Sequence, residues 1–79
     1  MRARFFLRQD TVSMILDRNH LTHKRFADHL GLSAAYWSQL YNGHRAVTPM
    51  VREVLVASRY LRGVDEAELW DIQSAAEAA

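Results

Sequence analysis

Ala34, Ala35, Ser38 and Gln39 are the residues of this chain whose types and spacing point to a chemistry. On a helix turning about 100° per residue they fall, together with Asn42, within an arc of about 140°. Trp37 and Leu40 fall on the opposite side. Such a helix turns two large apolar side chains toward a core and leaves a small, amide-bearing face outside. That face suits the major groove of duplex DNA, which admits one α-helix. A glutamine amide there bonds adenine at two points, and alanine methyls pack on thymine methyls. The same face also reads as ordinary helix surface, and this helix alone does not separate the two readings.

Four histidines, His20, His23, His29 and His44, raise acid–base or metal chemistry as the rival. No carboxylate completes a ligand pattern with them, and there is no Gly-rich phosphate loop or nucleophile motif. The chain has no cysteine, which removes disulfides and thiolate zinc sites. The expectation is a protein that is not an enzyme and uses no cofactor or metal. Histidines beside a phosphate backbone would strengthen DNA binding on protonation.

These residues need elements to position them. Asp10 or Thr11 can cap a first helix running to about Asn19, with Val12, Ile15 and Leu16 on one face. Thr22 can cap a second helix in which Phe26, Ala27 and Leu30 repeat at helical spacing, stopped by Gly31. Ser33 caps the third, Ala34 to Asn42, stopped by Gly43, and Thr48-Pro49 starts a fourth that runs to Gly63. Asp65-Glu66-Ala67-Glu68 reads as a capping box opening a fifth helix, over 66–77, that carries Leu69, Ile72 and Ala76. Residues 1–9 can extend the first helix, form a basic arm or form a short strand, and an extended segment is favoured.

With that frame in place, the stretch LTHKRFADHLGLSAAYWSQLYNGHRAVTP, Leu21 through Pro49, resembles the phage-repressor, Cro and Xre family of DNA-binding domains. Phe26, Ala27, Leu30, Gly31, Leu32, Trp37 and Leu40 sit at the spacings of a helix-turn-helix over about 22–42. The resemblance covers roughly residues 10–70. It implies a compact, all-α, five-helix lambda-repressor-like domain. It also implies that Thr22 and His23, with Lys24, touch a phosphate, and that Ala34, Ala35 and Gln39, with Ser38 between them, meet base edges. Asn42, His44 and Arg45 would meet the backbone beyond the groove, and Tyr36 is a further backbone candidate. Two departures stand out. Relatives often carry polar residues where Ala34 and Ala35 stand, and Trp37 is bulkier than the usual branched aliphatic.

Composition fits this frame. Seventy-nine residues make one small domain, and 49% hydrophobic content excludes a disordered chain. The net charge of +1 hides an asymmetry. Residues 1–62 hold ten bases against four acids, net +6, and residues 63–79 hold five acids and no base, net −5. A basic body suits a polyanion, with the acidic tail facing solvent or a second subunit. Palindromic double-stranded DNA, a homodimer and a regulatory protein are therefore the expected partners, with half-sites roughly 34 Å apart. The expected pairing surface is Leu69, Trp70 and Ile72, with Phe5 and Phe6. No membrane or targeting segment is visible, so a cytoplasmic protein of a bacterium or its phage is expected.

Overall fold

The computed structural model of the chain describes residues 3–74. Strand β1 (Ala3–Leu7) leads into four α-helices, α1 (Gln9–Arg18), α2 (His23–Leu30), α3 (Ala34–Tyr41) and α4 (Pro49–Ala57). Single 3-10 turns at Arg59–Leu61 and Glu66–Glu68 then carry the chain to β2 (Trp70–Ser74). The strands pair antiparallel, with Leu7 opposite Trp70 and Phe5 opposite Ile72. On its other edge β1 is bridged by Val47, whose amide donates to the Phe5 carbonyl at 2.6 Å. Four helices and a two-stranded sheet thus replace the expected five-helix, all-α domain.

The difference lies in the segment expected as a helix over 66–77. An α-helix there would need the Glu68 and Leu69 carbonyls for amides four residues on. Instead the Thr11 hydroxyl donates to the Glu68 carbonyl at 2.7 Å, and the Arg8 amide donates to the Leu69 carbonyl at 2.8 Å. Asp65 does cap, its carboxylate accepting from the Ala67 amide at 3.0 Å, but the turn it opens closes after one round. Beyond it, apolar Trp70 and Ile72 alternate with polar Asp71 and Gln73, the period of a strand. Ala76, also assigned to that helix, lies outside the described residues, as does Arg2 of the N-terminal segment.

Helix ends follow local chemistry. Thr22, Ser33 and Thr48 each accept a hydrogen bond from the amide three residues on, belonging to Arg25, Tyr36 and Val51, at 3.1, 3.1 and 3.3 Å. Gly31, at φ 76°, makes the left-handed turn between α2 and α3, and the Leu32 amide closes it on the Ala27 carbonyl. Neither Asp10 nor Thr11 is the cap of α1, which begins one residue earlier. Asp10 lies in its first turn, where the Thr11 amide and then the Arg8 guanidinium hold its carboxyl below the usual range. Nor does α4 run to Gly63. Ser58 is extended and its hydroxyl caps Tyr60, so the helix stops at Ala57.

The core draws on both strands and all four α-helices. Leu7 and Trp70 from the sheet meet Ile15 and Leu16 of α1, Phe26 and Leu30 of α2, Trp37 and Leu40 of α3, and Val51 and Leu55 of α4. Its function here is to hold α2 and α3 at a fixed crossing.

Candidate nucleic-acid interface

Ala27 of α2 has no exposed surface, and a side chain this small lets α3 cross closely. Against it α3 buries Trp37, 1% exposed, and Leu40, 0% exposed. The Trp37 ring meets Phe26 edge to face, with centroids 5.2 Å apart. With those two turned inward, Ala34, Ala35, Ser38 and Gln39 are exposed on the outer face of α3. The structure therefore brings together all four residues assigned to base reading.

On one flank lies the first turn of α2. Thr22, His23 and Lys24 are exposed there, and His23 and Lys24 share a shallow cleft with Ala34, Ser38 and Asn42, floored by Trp37 and Tyr41. The bulk of Trp37 has a use here. Its indole N–H donates to His23 Nδ1 at 3.1 Å, and Tyr41 packs edge-on to the imidazole with centroids 4.5 Å apart. An indole nitrogen only donates, so Nδ1 must accept and the ring proton of neutral His23 sits on Nε2. The neutral imidazole thus presents Nε2–H as a fixed donor.

The other flank is the end of α3 and the loop after it. Gly43, at φ 77°, folds the chain back, and the His44 and Arg45 amides donate to the Gln39 carbonyl at 2.9 and 3.3 Å. The Arg45 side chain follows, its Nε donating to Gln39 Oε1 while the guanidinium carbon lies 5.8 Å from the Tyr36 ring centroid. Arg4 of β1 lines the same concavity as Tyr36, Gln39, His44 and Arg45. From sequence Arg4 belongs to a segment open to a helix extension, a basic arm or a short strand, with no site role of its own. The signal was its alternation with Phe5 and Leu7, which turns it to the face opposite the core.

Three assigned residues are placed differently from their expected roles. Asn42 Nδ2 is directed at the Ser38 carbonyl and hydroxyl, at 2.8 and 3.2 Å, so in this rotamer its donors are spent within the helix. The remaining polar atom of its side chain, the carbonyl oxygen, is an acceptor and does not bind phosphate. Leu69 and Trp70 are 2% and 5% exposed, packed in the core of their own chain, with Trp70 edge-on to Phe5. The strand register turns Trp70 inside, where the expected helix would have displayed it, and the end of the 3-10 turn buries Leu69. Of the proposed pairing residues, Ile72 is 60% exposed, and Phe5 and Phe6 are half-buried. Phe5 carries Arg52, whose guanidinium carbon is 3.9 Å from the ring centroid, so that arginine is committed to the sheet.

Elsewhere, His29 Nε2 lies 2.9 Å from Ser58 Oγ. By distance the pair resembles an activated hydroxyl, but Ser58 is buried and its oxygen already caps the Tyr60 amide. It ties α2 to the end of α4. Among the described residues no three His, Asp or Glu side chains gather as metal ligands. Nor is any helix among the described residues long and apolar enough to cross a membrane. No family model, curated protein or solved structure matches the chain.

Proposed function

We propose that this protein is a sequence-specific, double-stranded DNA-binding transcriptional regulator that lays α3 in the major groove. One observation carries the reading: Trp37 and Leu40 are buried while Ala34, Ala35, Ser38 and Gln39 are exposed together on the other side of the same helix. The small face allows close approach, and donors stand on both flanks where the groove walls would pass. His23 and Lys24 serve one wall, and His44 and Arg4 the other. This follows the docking of phage-repressor, Cro and Xre domains that the sequence resembles. Repression by promoter occlusion is the simplest mode for such a domain, acting as a non-catalytic regulator in the cytoplasm of a bacterium, whether encoded by the bacterium or its phage.

One α3 spans only a few base pairs, so useful specificity calls for two copies on a palindrome, with half-sites roughly 34 Å apart. The test is selection of duplexes from a random pool, followed by a salt titration on the winner and on random DNA. A palindromic winner is expected. Binding to random DNA should fall with salt at a log–log slope of about −0.9 per phosphate neutralised. A flat salt response, or no duplex bound at low salt, would instead mark a protein-interaction module built on a helix-turn-helix.

A further inference from the structure

We infer that this chain reads guanine through Arg45, and that Gln39 is the positioning residue which aims it rather than an adenine reader. The inference rests on the DNA-binding reading above and specifies what that site recognises.

Gln39 is not free to act as an adenine reader does. To bond adenine at two points, its carboxamide must accept from the N6 amino group and donate to N7. Its acceptor, Oε1, already accepts from Arg45 Nε, which turns the carboxamide toward the loop and leaves it one lone pair. The loop enforces this arrangement, because Arg45 is anchored to the same residue twice, its backbone amide on the Gln39 carbonyl and its side chain on the Gln39 amide. Tyr36, one turn earlier on α3, supports the guanidinium through its ring. A loop arginine that would otherwise swing toward a phosphate is therefore drawn onto the reading face of the helix. Ala35 is exposed there and adds little bulk to obstruct it.

The remaining chemistry decides the base. With Nε engaged, a guanidinium still offers the pair of N–H groups on its two terminal nitrogens, a rigid planar fork with no acceptor. Guanine presents two acceptors in the major groove, O6 and N7. Adenine presents one acceptor and one donor, and its N6 amino group would oppose the fork. A phosphate also accepts a bidentate arginine, so the experiment must separate a base edge from the backbone.

The test uses the whole chain and the duplex selected from the random pool. The selected half-site should contain a guanine whose replacement by 7-deazaguanine, which lacks only the N7 acceptor, weakens the wild-type protein by about five- to a hundredfold. Arg45→Ala should bind the two duplexes equally, and circular dichroism should show it folded. Gln39→Ala should lose guanine-over-adenine preference with little change on random DNA. Gln39→Glu keeps the acceptor for Arg45 and should keep that preference, although its charge lowers affinity overall. Equal weakening of Arg45→Ala on selected and random DNA, with no response to 7-deazaguanine, would place Arg45 on a phosphate and overturn the inference. So would a selected adenine whose recognition disappears in Gln39→Glu. Those results leave DNA binding intact, whereas failure to bind any duplex at low salt overturns the underlying reading as well.

Discussion

Trp37 both packs in the core and holds a histidine on the surface beside it. The sequence marks it as core by its position opposite Gln39, and it is core. Its indole N–H is a separate matter, because no periodicity tells which residue fourteen positions away will receive it. The bond to His23 joins the reading helix to the first turn of α2. Trp37→Phe keeps most of the volume and removes the donor, so the expected stability loss is about 0.5–1.5 kcal/mol, measured by urea unfolding. The more specific readout is nuclear magnetic resonance of the ring nitrogens. His23 in the wild-type protein should be held with its proton on Nε2, and in Trp37→Phe it should relax toward a mixture. A mixture already present in the wild type would remove the claim that His23 is a fixed donor. The four residues exposed on the outer face of α3, by contrast, were legible from sequence because a helical wheel and two large apolar residues determine them.

Helices α2 and α3 were legible for a similar reason, since their caps and glycines act over three or four residues, whereas α1 was legible from its apolar spacing alone and neither Asp10 nor Thr11 caps it. The end of the chain was not. Leu69 and Ile72 satisfy helical spacing, while Trp70 and Ile72 satisfy strand spacing, and a short segment does not choose between them. The choice is made at long range by Thr11 and Arg8, which occupy the Glu68 and Leu69 carbonyls, and by β1, which supplies a partner strand. Thr11 is therefore expected to matter more than a solvent-facing threonine on a helix. Thr11→Val retains the shape, loses the hydroxyl donor and leaves a carbonyl without its partner. A loss of about 1–3 kcal/mol is expected. Hydrogen exchange should show the Arg8 amide opening faster, since its acceptor is the next carbonyl along. An unchanged urea midpoint would mean that the sheet closes without this bond.

At the scale of the molecule, the sheet changes how pairing must be tested. A C-terminal helix would have carried Trp70 on a surface where a charge separates subunits. In the observed register Trp70 opposes Leu7 and is buried with Leu69, so Trp70→Glu places a carboxylate in the core. An unpaired buried charge costs several kcal/mol, a large share of what a domain of this size has. That variant should unfold, and its failure to dimerise would be uninformative. Ile72 is the residue to change, because it is 60% exposed and lies across from Phe5 on the two-stranded sheet. If two copies meet through this sheet, Ile72→Glu should melt like the wild type yet sediment as a monomer. It should also bind an isolated half-site normally while losing the cooperative gain on the full palindrome. A folded Ile72→Glu protein that still sediments as a dimer would move the twofold axis to another face, without touching the reading of α3.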